Sequence, residues 1–335
     1  MLGLSVLSVG ACTTPPPPQP VVQVMLLDEF PSAQDTMGVS HGTLVEAVLR
    51  SRSPIANERV QVPLGNSLQE VEQGRPGALE RYVVQRFRVP TEATAQVLER
   101  LHKPGVASQS QGASESRVVE SLWGAAQGTA ATRTFLENEL EIPSGSSDAD
   151  FLQALVRRVD DIHHGNREIG AARRHLLQAA RTAQDAGVIR VVSAGNQGHL
   201  EALFDRLGVL TGRDFYMSDL ADPGAIVVGA SDNHGTVDPA DDGPASLASP
   251  DAGALIGTQG VDVPIQVNGQ LQHHSGSSYA QPQIASLIAG WKQENPAMTR
   301  DEVVDRLLRQ VHPIAGAEPQ IGAGIIENGW FLRVN

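Results

Sequence analysis

The 335-residue chain holds one cysteine, Cys12, so no intramolecular disulfide can form. It also lacks a basic surplus. Twenty-five Lys and Arg face 38 Asp and Glu, for a net charge of −13. That balance argues against nucleic acid as a partner, because phosphate backbones call for clustered cations. There is no internal repeat and no second composition regime after Pro20, so residues 21–335 are expected to form one domain. What is present is globular in character. Hydrophobic residues make up 41%, enough for a core, and 19% charged residues keep the chain soluble.

The N-terminus reads as targeting sequence rather than structure. Residues 1–11 are apolar but too short to cross a bilayer. Val9-Gly10-Ala11-Cys12 resembles a bacterial lipobox, which implies cleavage before Cys12 and lipid attached to its sulfur; the stretch lacks the Lys or Arg that signal peptides normally carry. Thr13 to Pro20, with four consecutive prolines, is a stiff spacer of the kind a tether needs. The expected division is a signal peptide at 1–11, a lipidated Cys12 with its tether at 12–20, and the folded domain beyond. The expected address is the bacterial cell envelope, anchored in the membrane by lipid, with the outer membrane suggested by analogy because Thr13 is not an aspartate.

Beyond the tether the pattern alternates helices with apolar strands, the signature of an α/β fold with a mostly parallel sheet. Val21 to Leu27 reads as a strand buried on both faces and stops at Asp28. Gly42 to Arg50 reads as a helix, Arg59 to Leu64 as a strand, and Pro76 to Lys103 as mostly helical. Val106 to Ser116, rich in Ser, Gly and Gln, reads as a loop. Arg117 to Leu122 reads as a strand. Ile169 to Ala186 is helical, and Val188 to Val192 and Ala225 to Ala230 are strands. Asp232 to Ser249 reads as a loop, and Asn268-Gly269 suits a hairpin turn. Ile284, Leu287, Ile288 and Trp291 keep helical spacing after Ser278. Thr299 and Glu302 form a capping box for the last helix.

Four residues stand where chemistry is done. Asp28 ends a strand, His41 opens a helix, Asn196 follows a strand, and Ser278 begins an apolar helix. Taken singly, each has a plainer role: a turn cap for Asp28, a helix cap for His41 or Ser278, a left-handed turn residue for Asn196. Together and in this order they read as the parts of a nucleophilic hydrolase. A serine hydroxyl needs a base, the base needs an orienting carboxylate, and the oxyanion needs hydrogen-bond donors.

His41-Gly42-Thr43, Ser193-Ala194-Gly195-Asn196 and Gly276-Ser277-Ser278-Tyr279-Ala280-Gln281-Pro282 resemble the histidine, asparagine and serine boxes of the subtilisin-like serine proteases. Arg117 to Gly124 is similar to that family's strand ending in S-L-G-G. The resemblance runs from Val21 to Glu327 and implies a three-layer fold, with a central, mostly parallel sheet and helices on both faces. It implies an endopeptidase with the triad Asp28, His41 and Ser278, and an oxyanion hole from the Asn196 side chain and the Ser278 backbone N–H. It places Ser121, Leu122, Trp123 and Gly124 along the bound peptide. No cofactor is implied. Calcium, which many subtilases bind, has candidates in Asp219, Asp222, Asp232, Asp241 and Asp242, but no calcium motif supports a site. Asp160-Asp161-Ile162-His163-His164 looks like a metal cluster but is expected to be a solvated loop, and His273-His274 are expected on the surface.

Several features depart from the family. Glu29-Phe30 replace the residues that usually follow the aspartate, which leaves Asp35 as its competitor. Only 13 positions separate Asp28 from His41. The usual propeptide has no room after the tether, so the chain is expected to fold without one. Trp123 replaces a glycine and is expected to narrow the cleft and restrict specificity. These departures keep two further readings in play beside the endopeptidase: a catalytically inert peptide- or partner-binding module, and a processing enzyme for one dedicated partner. Oligomeric state is not legible.

Overall fold

The computed structural model describes residues 22–30, 39–52, 56–65, 68–236, 238 and 241–326. Residues 1–20, expected to hold a signal peptide, Cys12 and a tether, lie outside them, as do Asp35 and Glu327.

Strand β1 (Gln23–Asp28) leads to helix α1 (His41–Arg52), and strand β2 (Asn57–Gln61) to helices α2 (Gln69–Glu72) and α3 (Ala78–Leu98). Strand β3 (Gly105–Gln109) precedes four helices: α4 (Glu115–Gly128), α5 (Ala130–Glu139), α6 (Asp148–Gly165) and α7 (Arg167–Asp185). Next come β4 (Val188–Ser193), α8 (Gly198–Leu207), β5 (Ile226–Asp232), β6 (Gly243–Pro244) and β7 (Ile256–Gln259). The hairpin of β8 (Val263–Val267) and β9 (Gln270–His274) then delivers the chain to α9 (Ser277–Glu294), α10 (Arg300–Leu308) and α11 (Glu318–Ile321).

The sheet runs β2-β1-β3-β4-β5, with β6 and β7 both paired to β5. All its pairings are parallel except β5 with β6. Parallel strands need helical crossovers, which cover both faces of the sheet. Alternate residues of one strand therefore enter different cores. Met25 and Leu27 pack with α3, α4, α6 and α7 on one side. On the other side Val24 packs with α9 and α10, and Leu26 packs with α1. This is the expected three-layer arrangement. Asn268 and Gly269 both have positive φ in the expected turn between β8 and β9, and the Thr299–Glu302 capping box forms.

The stretch around residues 105–124 differs from expectation. The loop expected at Val106 to Ser116 contains β3, buried at every position, and the strand expected at Arg117 to Leu122 is part of α4. Ser108 and Gln109 look too polar for a central strand, but each has a buried partner. The Ser108 hydroxyl lies 3.1 Å from the Gln281 amide nitrogen, and Gln109 Nε2 donates to Thr94 at 2.9 Å. A polar group satisfied in this way carries little burial penalty. Ser114 caps α4 by accepting from the Arg117 N–H.

Candidate active site

Parallel sheets place their sites beyond the carboxyl ends of their strands. Asp28 at the end of β1, Ser110 just past β3 and Asn196 just past β4 line one cleft of about 460 Å³ with His41 and Ser278.

Asp28 is fully buried. Its Oδ1 accepts from the Glu29 N–H at 2.7 Å and lies 2.8 Å from His41 Nδ1. The twelve-residue connection is therefore long enough to bring the two side chains together. Ser40 caps the start of α1 by accepting from the Thr43 N–H, and the Gly42 N–H donates to the Glu29 carbonyl at 3.0 Å. A Cβ on Gly42 would come within 2.6 Å of that carbonyl oxygen. Glycine is thus required for α1 to dock where its first residue meets Asp28. His41 Nε2 makes no protein hydrogen bond among the described residues, and the ring packs 6.0 Å from that of Tyr279.

Helix α9 is held to the strand ends by polar contacts. The Ser277 N–H donates to Asn196 Oδ1 at 2.8 Å, and Ser277 Oγ accepts from the Gly195 N–H at 3.1 Å. Gln281 Nε2 donates to the Val191 carbonyl at 2.9 Å, while Ser110 Oγ donates to Gln281 Oε1 at 2.8 Å. The Ser278 hydroxyl donates to the Ser110 carbonyl at 3.1 Å. Gly276 has a φ of 152°, and a Cβ there would stand 3.2 Å from Asn196 Nδ2. Asn196 spends its Oδ1 on backbone. Its Nδ2 and the Ser278 N–H make no protein hydrogen bond among the described residues, which leaves two donors beside Ser278, one of them at a positively polarised helix N-terminus.

Ser121, Leu122, Trp123 and Gly124, expected along the bound peptide, do not line this cleft. Leu122 is fully buried in the helical layer, Trp123 packs against Phe151, and the Arg133 guanidinium lies 5.6 Å from the Trp123 ring. Trp123 therefore does not narrow the cleft. Ser110, Gln111 and Gly112 occupy the strand-end position instead. The polar network of Ser110 and Gln281 escaped sequence reading, although Gln281 stood inside the serine box.

The expected solvated loop at Asp160 to His164 is the last part of α6. His163 is buried and stacks on Phe87 at 3.9 Å. Its Nδ1 lies 2.7 Å from Glu115 and its Nε2 3.0 Å from Asp219. Burial alone would lower its pKa, but the carboxylates of Asp219 and Glu115 outweigh it and hold His163 up to about 9. Glu115, His163 and His164 offer ligand atoms within 4.8 Å of one another, as a metal site would. A doubly protonated imidazole between two carboxylates uses both His163 nitrogens, so a charged clamp fits these residues better than a metal. The clamp ties the start of α4 to the Ser218–Asp219 segment beside the cleft. Of the calcium candidates, Asp219 also pairs with Arg173, Asp222 pairs with Arg190, and Asp232 accepts from the His234 N–H. Asp241 accepts from Thr236, and both Asp242 oxygens are buried without a partner among the described residues. His273 is exposed, as expected, whereas His274 packs 5.4 Å from Tyr279.

The clamp has a pH signature. A histidine whose pKa is raised above its unfolded value of 6.5 contributes stability fully below that pH and loses it as the pH rises through about 9. The contribution is on the order of 3 kcal/mol. Thermal melts are expected to show Tm falling between about pH 6.5 and 9, and His163→Gln to remove most of that slope. An unchanged slope in the variant would refute the clamp.

Residues 91–324, more than half of the chain, match the model of the subtilase family, peptidase S8. The matched span contains Ser110, Asn196 and Ser278, while Asp28 and His41 precede it. Solved structures with a similar fold include a lanthipeptide protease at 13% identity, with a TM-score of 0.49, covering 95% of this chain and 89% of that one. Another is a cold-adapted subtilisin-like serine proteinase at 14% identity, with a TM-score of 0.45 and coverage of 91% and 88%. Sphericase is similar at 16% identity, with a TM-score of 0.43; 71% of this chain aligns, but the match spans 63% of sphericase. A comparison with curated proteins gave no match. No helix among the described residues is long and apolar enough to cross a membrane. The chain belongs to the subtilase family of serine peptidases.

Proposed function

We propose that this protein is an endopeptidase that cleaves peptide bonds through an acyl-enzyme on Ser278. The observation that carries the reading is the 2.8 Å contact between Asp28 and His41 in the cleft that Ser278 lines. Asp28 would hold the His41 Nδ1–H, leaving Nε2 free to take the Ser278 proton as Oγ attacks the scissile carbonyl. Asn196 Nδ2 and the Ser278 N–H would receive the oxyanion. His41 would then protonate the leaving amine, and water would release the acyl group by the reverse sequence.

A second reading, a non-catalytic peptide-binding module, is favoured by one contact. The Ser278 hydroxyl donates to the Ser110 carbonyl rather than to His41. A rotation about its side-chain bond would release it, and catalytic hydrogen bonds often tighten only with substrate in place. A fluorophosphonate probe, which reacts with activated serines, separates the two. Labelling that maps to Ser278, together with casein cleavage, supports the peptidase. A folded protein that neither labels nor cleaves is the binding module.

The proposal extends to the N-terminus, where Cys12 carries lipid and residues 12–20 tether the peptidase to the bacterial envelope. The lipobox-like Val9-Gly10-Ala11-Cys12 supports this. Labelled palmitate should enter the wild-type protein in bacteria and not Cys12→Ala; equal labelling of both would rule the anchor out.

A further inference from the structure

Cations held in protein interiors are almost always paired, because an unpaired buried charge loses its hydration without compensation. Arg117, in the first turn of α4, lines the cleft with Leu64, Gln111 and Glu120. Among the described residues its guanidinium forms no ion pair or hydrogen bond, although it is partly buried. The neighbouring cation is Arg86 of α3. It donates to the Leu64 carbonyl at 3.0 Å and has no carboxylate partner among the described residues either. Burial first, and then the repulsion of Arg86, push the Arg117 guanidinium below its ordinary value. Glu120 and Glu29 act in the opposite direction without pairing with Arg117, and Glu120 accepts instead from Gln197 Nε2 at 3.1 Å.

Neither guanidinium is in ion-pair contact with a carboxylate among the described residues, although Glu29 and Glu120 line the same cleft, so N–H groups of both remain for a substrate carboxylate. The cleft is where a peptide would lie, and the Val62–Leu64 segment forms its border, since Gln111 Nε2 donates to the Val62 carbonyl at 3.0 Å. We infer that Arg117, with Arg86 beside it, forms a subsite for a carboxylate side chain, so that favoured substrates carry Asp or Glu at one position close to the scissile bond. Guanidinium groups suit this task because their N–H groups match a carboxylate in geometry and charge. The inference rests on the reading of this cleft as the peptide site. It gives the restricted specificity expected from the sequence a different cause from Trp123.

Quenched fluorescent peptides scanned position by position with Asp, Glu, Asn, Gln, Ala and Lys test the subsite. The wild type should prefer the acid over its amide isostere at one position by about 10–100-fold in kcat/KM, the scale of a charge-assisted hydrogen bond. Arg117→Glu should reverse the preference toward Lys, and Arg86→Gln should weaken it, with circular dichroism used to check that both variants fold. Binding of the same peptides to Ser278→Ala, followed by anisotropy, gives a readout that needs no turnover. Acid-dependent binding that Arg117→Glu abolishes, in a protein that never cleaves, would sink the peptidase and keep the subsite. Cleavage without any acidic preference, or a preference unchanged in Arg117→Glu, would overturn the subsite and keep the peptidase.

Discussion

Ser278→Ala is expected to lower kcat for peptide hydrolysis by about 10⁶-fold, the scale seen when a subtilisin loses its serine. The residual rate would come from groups that do not react: the Asn196 amide, the N–H at position 278, and whatever holds the peptide in place. The variant should fold, because among the described residues the hydroxyl makes a single protein hydrogen bond, to the Ser110 carbonyl, and its loss costs about 1 kcal/mol. The start of α9 keeps its other ties: Ser277 to Asn196 and Gly195, Ser110 Oγ to the residue-278 carbonyl, and Gln281 to Val191. The measurement is turnover of a defined peptide beside a thermal melt. A folded variant that keeps its activity would place the nucleophile elsewhere.

The arrangement of the cleft follows from a few sequence-local rules. Strand ends, a helix N-terminus and a glycine at a close contact are features of a dozen residues or fewer. That is why Asp28, His41, Asn196 and Ser278 could be picked out before any contact was known. The stretch from 105 to 124 failed for the opposite reason. β3 is a central strand despite Ser108 and Gln109, because Thr94 and Gln281 satisfy them from 15 and 173 positions away. Partners so distant leave no local signal, and the nearby Val118-Val119 offered a more strand-like pattern. Displacing the strand by a dozen residues put Leu122 and Trp123 at the substrate, whereas they pack in the helical layer. Arg117 and Glu120, earlier on α4, reach the cleft instead. His163 misled in the same way. Its polar surroundings suggested a loop, but Phe87, Glu115 and Asp219, each brought by a different part of the chain, give it a buried place.

Asp28→Ala is expected to lower kcat by about 3 × 10⁴-fold at neutral pH, and Asp35→Ala to leave it within a few-fold of wild type. Asp28 Oδ1 serves two donors at once, His41 Nδ1 and the Glu29 N–H. Removing the carboxylate leaves His41 free to adopt the tautomer that places its proton on Nε2, where it can no longer accept from Ser278. It also takes away the negative charge facing the imidazolium that forms during attack. Both losses fall on the transition state, so kcat should drop while KM changes little. Raising the pH would not restore the rate, because the missing element is a fixed charge rather than a deprotonated base. Glu29-Phe30 depart from the family pattern after the aspartate, yet the Glu29 backbone supplies both the N–H to Asp28 and the carbonyl that receives Gly42. What position 29 contributes to these contacts is main chain, which does not depend on side-chain identity. Steady-state kinetics of the two variants on one peptide decides between the carboxylates. A larger loss in Asp35→Ala than in Asp28→Ala would move the orienting role to Asp35 and break the link between the 2.8 Å contact and catalysis.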